Sequence, residues 1–420
     1  MTEVHGSRDQ VTGAPSPAQS PAGSEARESG ALRILMLAPT PYFADRGCHV
    51  RIYEEARVVK QLGHDLRLVT YHLGRDMAEI PTERIMRIPW YRRLTAGPSW
   101  HKPYLDILLF FKALKVARSF RPHLIHAHLH EGAFIGIFLK AILGIPLLFD
   151  CQGSLTGEII DHGFTRRGSP LARFFALLER FINTRADVIV TSSTAAAAAL
   201  VNEWGVPPAT VTPLTDGVNT EEFAPGDRGA AKRSLGLPPD LPVAVFLGLL
   251  NRYQGIDLLL DVMGILAERG VRVHLLLMGF PDEKYRARAR ERGLDKLITL
   301  TGRIDYRKAP GYLAAGDLAV SPKISLTEAN GKLFNYMACG LPCLVFDTPV
   351  NREILGETGI YARFADPVDF ADRLERMLAD QAELERLGGA ARDKAVAEHS
   401  WKNRGEALCR LYASLVAGRS

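Results

Sequence analysis

The chain has 420 residues, enough for two or three domains, and its 47% hydrophobic and 24% charged residues are ordinary for a globular protein. Its net charge of +5 is too weak to indicate nucleic-acid binding, although it is compatible with anionic substrates or an acidic membrane surface. The five cysteines are odd in number and show no metal-ligand spacing, which favours reduced thiols in a cytoplasmic protein.

Alternating strands and helices organise most of the chain. Residues 1–30 are rich in Ser, Pro, Ala and Gly without an apolar run, so we expect a disordered tail and not a signal peptide. Residues 31–213 then predict a doubly wound α/β domain with a parallel sheet, and residues 214–398 predict a second one. The turn-rich segment 213–225 predicts the linker between them. Two such domains place a ligand cleft between their facing carboxyl edges.

The stretch 317–347 reads as a strand, a polar loop, a short helix and a second strand. Gly340 and Pro342 predict the end of that helix, and Lys332 falls in its first turn. A cation weakens the amino end of a helix, so Lys332 is better explained by a bound anion such as a diphosphate. The alternative is a solvated lysine.

The segment Tyr336-Met337-Ala338-Cys339-Gly340-Leu341-Pro342 resembles the donor-sugar motif of GT-B glycosyltransferases of family 4. Residues 216–225 resemble the hinge motif of the same family, and the resemblance runs from about residue 31 to 418. It implies two Rossmann-like domains facing a central cleft, with residues 399–420 forming a helix that crosses back to the first domain. The sequence departs from the pattern at both acidic places, since Asn335 occupies the second and Glu328 lies seven residues before it.

In the first domain, the resemblance places Gly47 near the donor diphosphate and Asp45 or Arg46 near the acceptor; the alternative for Gly47 is a plain turn glycine. Three alternating histidines follow in the segment 126–130, but metal ligation normally needs a fourth partner and defined spacing. The family has a histidine that touches the transferring sugar, which we assign to His128 in preference to His130, and His126 fits a core position. Gln152 is either an acceptor contact or part of a polar loop.

In the second domain, the family places an Arg and a Lys on the donor diphosphate. Arg252 matches the first, whereas Gln254 stands at the second position, so Lys332 is expected to supply the missing charge. Gly279 and Arg303 lie at the ends of two other predicted strands. They either frame the nucleotide base or are simple turn residues. The expected donor-binding set is Gly47, Gly248, Arg252, Gln254, Gly279, Arg303, Glu328, Asn330, Gly331, Lys332, Leu333 and Asn335.

The resemblance therefore implies a retaining glycosyltransferase that moves a hexosyl group from a nucleoside-diphosphate sugar to a hydroxyl of a glycan, lipid-linked or small-molecule acceptor. His128, Glu328, Arg252 and Lys332 are its expected catalytic residues. No Asp-x-Asp motif occurs, which agrees with transfer that needs no metal, and we expect no cofactor. The alternative, favoured by the missing acidic residues, is a GT-B sugar-nucleotide epimerase or a non-catalytic sugar-nucleotide-binding protein.

The connection 90–104 combines aromatic and basic residues. Such a cluster predicts either peripheral contact with the cytoplasmic face of a membrane or a solvated loop packed by its two tryptophans. Its members are Trp90, Tyr91, Arg92, Arg93, Trp100, His101, Lys102 and Tyr104. We predict no membrane-spanning segment, because Lys140, Gly144 and Pro146 interrupt the longest apolar stretch.

Overall fold

A computed structural model describes residues 30–44, 47–92, 99–161, 163–324 and 330–418. Within these residues the strands form two parallel sheets, one of seven strands and one of six. Two doubly wound α/β domains follow from this arrangement, and the predicted fold class is confirmed. The expected tail falls almost entirely outside the described residues.

The first sheet has the strand order β3-β2-β1-β4-β5-β6-β7. Its strands are β1 (Arg33–Ala38), β2 (Asp65–Thr70), β3 (Thr82–Arg84), β4 (Leu124–His128), β5 (Leu147–Cys151), β6 (Val188–Thr191) and β7 (Val211–Pro213). Its helices are α1 (Gly47–Gln61), α2 (Lys102–Phe120), α3 (Leu129–Leu143), α4 (Leu155–Asp161), α5 (Pro170–Asn183) and α6 (Thr194–Asn202).

Alternate residues of each strand supply the two faces of this sheet. Ile34 and Met36 of β1 pack in one core with residues of α1, whereas Leu35 and Leu37 pack in a second core with residues of α2, α3 and α5. Because both faces are covered, the strand is apolar throughout and not amphipathic.

The second sheet has the strand order β10-β9-β8-β11-β12-β13. Its strands are β8 (Val243–Leu247), β9 (His274–Met278), β10 (Ile298–Gly302), β11 (Leu318–Ser321), β12 (Cys343–Phe346) and β13 (Gly359–Ala362). The remaining helices are α7 (Arg228–Ser234), α8 (Ile256–Glu268), α9 (Glu283–Glu291), α10 (Ala309–Leu313), α11 (Lys332–Ala338), α12 (Pro349–Leu355), α13 (Pro367–Leu378), α14 (Gln381–Glu398) and α15 (Trp401–Ala417).

Helix α15 packs against α1 and β4 of the first domain. Gly405 permits this close approach, because any side chain there would collide with Val58 of α1. The hydroxyl of Tyr412 shares a hydrogen bond of 2.6 Å with Nδ1 of His126. Val218 of the linker also pairs with residues 399–401 at the start of the helix, through backbone hydrogen bonds of 2.8 and 3.1 Å.

The structure contains elements that the sequence patterns did not indicate. β3 and β7 have three residues each, too few to show a period, and β7 lies at the start of the predicted linker. Residues 155–161 form the short helix α4. Within the described residues, none of the helices combines the length and apolar character that a membrane crossing requires.

Candidate active site

A cleft of about 380 Å³ is lined by residues of both domains. In the first domain they follow β1, β4 and β5, and in the second they follow β8 and β11. In each sheet the strand order reverses at one point, between β1 and β4 and between β8 and β11. Ligands of open α/β sheets bind beyond the carboxyl ends of the strands at such a point, so the cleft lies where the topology predicts.

Many of the sequence-predicted site residues line this cleft together. They are Gly47, His130, Gln152, Gly248, Gln254, Asn330, Gly331, Lys332 and Asn335. The first three belong to the first domain and the others to the second, so the cleft joins the residues predicted for the two sides of the reaction.

Other predicted residues do not line it. His128 is fully buried and donates from Nδ1 to Oδ2 of Asp150 at 2.9 Å, whereas His130 reaches the cleft. Leu333 turns its side chain into the core, and Arg252 is exposed on the loop after β8.

Arg303 and Gly279 also lie away from the cleft lining. The guanidinium of Arg303 lies 4.0 Å from the centre of the Phe280 ring. Any side chain at Gly279 would collide with the backbone of Gly248, so the packing of two strand ends alone accounts for that glycine. The predicted residues Asp45, Arg46 and Glu328 lie outside the described residues.

Lys332 opens helix α11 and faces the end of β8. Its ammonium hydrogen-bonds the side-chain oxygen of Gln254 and lies 4.6 Å from the centre of the Phe246 ring. Gly248 has a φ of 144°, and a β-carbon there would lie 3.1 Å from Cε of Lys332. Only glycine gives the lysine this room without strain, so the strand end and the helix together place a cation in the cleft.

Buried hydrogen bonds hold the start of α11 in place. Asn330 is 3% exposed and donates from its amide to Oδ1 of Asn351 at 3.0 Å. The hydroxyl of Tyr336, fully buried, accepts a hydrogen bond of 2.7 Å from the backbone N–H of Leu247. The first contact ties the segment just before α11 to α12, and the second joins α11 to the carboxyl end of β8, so Lys332 and Gly248 keep their relative position.

A buried ion network lies beside the cleft on the first-domain side, and its members Arg51 and Asp216 line the cleft. The guanidinium of Arg51, 3% exposed, contacts Asp150 at 2.9 Å, Glu55 at 3.1 Å and Asp216 at 2.7 Å. Burial by itself would raise the pKa of Asp150, but Arg51 and His128 overcome that effect and hold it below its ordinary value. Asp216 belongs to the linker, so the network joins α1, β5 and the domain connection.

The same cluster has the donor set of a metal site. One ligand atom from each of Glu55, His126, His128 and Asp150 lies within 4.8 Å of the others. However, the guanidinium of Arg51 already contacts both carboxylates there, and a second cation beside it would be repelled. The arrangement therefore fits an arginine-centred ion cluster better than a metal centre.

A second polar group lies where β4 enters α3. Lys102 forms an ion pair with Glu131, and both line the cleft. Nearby, Tyr71 donates a hydrogen bond to Asp106. Burial, reinforced by the charge of Glu131, raises the pKa of Asp106 to about 7.

This raised pKa predicts a pH-dependent effect of Asp106→Asn. The folded state holds the Asp106 proton up to about pH 7, whereas the unfolded chain releases it near its ordinary value, so wild-type stability falls as the pH rises between these values. The amide cannot ionise, so we expect the variant to gain about 1–3 kcal/mol over wild type at pH 8 and much less at pH 5. Urea unfolding at both pH values measures this, with Asp295→Asn, an exposed position, as the control. An equal change at both pH values would contradict it.

Sequence reasoning missed several residues at the cleft. Arg51 was passed over, and Asp216 was assigned only to the hinge motif, because nothing local shows that a charged residue in a helix or a linker belongs to an ion cluster. Lys323 lies two residues after the end of β11, and its place at a carboxyl strand end was a usable signal. Lys102 was assigned to the aromatic segment, but the structure pairs it with Glu131 inside the cleft.

Two Rossmann-like domains that share a cleft at their carboxyl edges are the architecture of the GT-B class. The chain matches the model of the glycosyl transferase 4-like domain over residues 46–217, and that of glycosyl transferases group 1 over residues 241–380. It belongs to the GT-B glycosyltransferases of family 4.

Relatives and solved structures agree with this assignment. The chain is 26% identical over 392 residues to the D-inositol 3-phosphate glycosyltransferase of Thermobispora bispora, covering 88% of this chain and 90% of the relative. It resembles the structure of sucrose-phosphate synthase from Thermosynechococcus elongatus with a TM-score of 0.78 and 20% identity, over 92% of this chain and 100% of the other. Anabaena HepE in complex with UDP-glucose gives a TM-score of 0.73 and 16% identity, over 91% and 100%. The epimerase and the non-catalytic binding protein are not favoured by these matches.

Proposed function

We propose that this enzyme transfers a hexosyl group from a nucleoside-diphosphate sugar to a hydroxyl acceptor, with retention of anomeric configuration and without a metal. The observation that carries the proposal is the placement of Lys332, between Gly248 and Gln254, in a cleft that both domains line. HepE, a structural neighbour, is known with bound UDP-glucose, which supports a donor of this type.

The chemistry requires a cation where negative charge develops. As the bond between the anomeric carbon and the diphosphate oxygen breaks, charge builds on the leaving group, and the Lys332 ammonium stabilises it. The acceptor oxygen bonds to the anomeric carbon, and its proton leaves with the diphosphate. Gly47 opens α1 with no atom within 4 Å of where its β-carbon would lie, which leaves space for the phosphates to approach.

The remaining roles follow the family resemblance. In this proposal Arg252 contacts the diphosphate and Glu328 contacts the sugar. Asn335, which lines the cleft, hydrogen-bonds the ribose. Of the two candidate histidines, only His130 is among the residues that line the cleft, so we prefer it for the sugar contact.

The acceptor enters from the first domain, where Gln152 and His130 line the cleft. Its class is a glycan, a lipid-linked acceptor or a small molecule. Relatives named D-inositol 3-phosphate glycosyltransferase make D-inositol 3-phosphate the first small molecule to test. We also propose that the enzyme is cytoplasmic and that its segment 90–104 contacts a membrane. Trp90 and Trp100 of this segment are 72% and 77% exposed, which argues against a loop packed by its two tryptophans.

A donor screen tests the proposal. Binding to the native state raises the unfolding temperature, so we expect one class among UDP-, GDP- and ADP-sugars to stabilise the chain by about 2.7 kcal/mol at a hundredfold excess over Kd. Transfer with that donor should need an acceptor, persist in a chelator and give a product of unchanged anomeric configuration by NMR. Conversion of the sugar nucleotide into an epimer without an acceptor, or no stabilisation by any donor, would contradict the proposal.

A further inference from the structure

Helix α5 buries the charged residue Glu179 beside the apolar Ala172 and Ile182 on its inner side, and it exposes large apolar residues on its outer side. Glu179 on its inner side is 1% exposed and accepts hydrogen bonds from the backbone N–H groups of Leu155 and Thr156 at 3.2 and 2.8 Å. On the opposite side, Phe174 and Leu177 are 58% and 69% exposed. The outer side of a surface helix is ordinarily polar, because burying apolar area stabilises the fold.

The exposed residues of α5 continue onto α3. Phe138 and Ile142 of α3 are 46% and 54% exposed, and the ring of Phe134 lies 5.1 Å from that of Phe138 and 6.4 Å from that of Phe181 of α5. Contiguous apolar surface of this kind marks a contact site. We name it the α3–α5 patch, and its members are Phe138, Ile142, Leu171, Phe174, Leu177 and Phe181.

Uncompensated positive charge borders the patch. Arg173 and Arg180 lie four residues before and three residues after Leu177, which makes them its neighbours on the helix surface. Arg166 and Arg167 are exposed just before α5. Across the described ranges, no carboxylate forms an ion pair with any of these four arginines. Glu179 is the single acidic residue in the sequence 163–185, and it is buried.

We propose that the α3–α5 patch docks on a bilayer that contains anionic lipid. The apolar side chains would enter the boundary between headgroups and acyl chains, and the arginines would pair with lipid phosphates. A second copy of the chain fits less well, because a twofold contact would set the arginines of one patch against those of the other. Trp100 of the segment 90–104 lies with its ring 4.9 Å from that of Phe164, which shortly precedes α5.

Docking here would bring the cleft close to the lipid. The inner side of α5 holds the start of α4 through Glu179, and Leu155 and Glu158 of α4 line the cleft. An acceptor carried in the membrane would then reach the first-domain side of the cleft without leaving the surface. This consequence depends on the proposed function, whereas the docking itself does not.

Vesicle sedimentation of the full chain tests the proposal. We expect wild type to sediment with vesicles of phosphatidylcholine and phosphatidylglycerol, far less with phosphatidylcholine alone, and less as salt is raised. Phe174→Ser with Leu177→Ser should weaken partitioning at least about tenfold. The triple variant Arg166→Gln, Arg167→Gln and Arg173→Gln should abolish the preference for anionic vesicles. The control is Val368→Ser with Val396→Ser, two positions that are 47% and 46% exposed on α13 and α14, and it should sediment like wild type.

Three outcomes would overturn the proposal: no sedimentation of wild type with anionic vesicles, equal sedimentation of the Phe174/Leu177 variant, or a concentration-dependent dimer that this variant abolishes without vesicle binding. The substituted side chains are exposed, so circular dichroism and unfolding temperature should match wild type and exclude misfolding. Transfer to a water-soluble acceptor should also survive in the variant, which separates failure of docking from failure of the proposed transferase activity.

Discussion

Replacing Lys332 by Ala is expected to lower kcat about 10²–10³-fold while the protein stays folded. The lysine ammonium is the cation that the structure holds between Gly248 and Gln254, so its removal leaves the charge of the departing diphosphate without this stabilisation. Steady-state transfer kinetics with the donor found by screening measure the effect, and the thermal midpoint measures folding.

Two further variants sharpen this test. Lys332→Arg keeps the charge but not the compact ammonium, so we expect activity between that of wild type and Lys332→Ala. Lys308→Ala removes an exposed lysine that does not line the cleft and should leave kcat and KM unchanged. Wild-type kcat and KM in Lys332→Ala would remove the assignment.

Replacing Arg51 by Met is expected to destabilise the fold by about 3–5 kcal/mol, because it leaves buried carboxylates without their cation. Asp150 and Glu55, 0% and 1% exposed, would lose their shared partner, and Asp216 in the linker would lose its contact with α1. Urea unfolding followed by circular dichroism measures the loss.

The matched control is Arg67→Met. Arg67 pairs with Asp65 at the surface, with both side chains at least one-third exposed, so the change should be within about 0.5 kcal/mol. Adding Asp150→Asn to Arg51→Met removes one stranded charge and should recover part of the stability, so that the two substitutions are not additive. Equal stability of Arg51→Met and Arg67→Met would show that the cluster does not hold the domain together.

The sequence predicted the two-domain fold well because apolar strands and amphipathic helices alternate along the chain. The stretch 317–347 was predicted as a strand, a polar loop, a short helix and a second strand, and the structure has β11, α11 and β12 there in that order. The three-residue strands β3 and β7 were missed, because their pairing is set by neighbours distant in sequence and not by a local pattern.

Some residues of the candidate site could be predicted from the sequence and others could not. Residues at the carboxyl ends of strands, such as Gly248 and Gln152, were predictable, since topology alone brings those ends together. The Arg51 cluster could not be predicted, because its members are distant in sequence. Asp150 lies 99 residues after Arg51, and Asp216 lies 165 residues after it. The exposed apolar side of α5 also escaped notice, since periodicity shows that a helix has two faces but not which of them is turned inward.

The packing of α15 on α1 and β4 has a consequence for biosynthesis. The ribosome completes the whole first domain before it makes Tyr412, so the surface around Val58 and His126 stays exposed until α15 has been synthesised. Folding of the amino-terminal half during synthesis therefore leaves this surface uncovered until α15 emerges and packs on it.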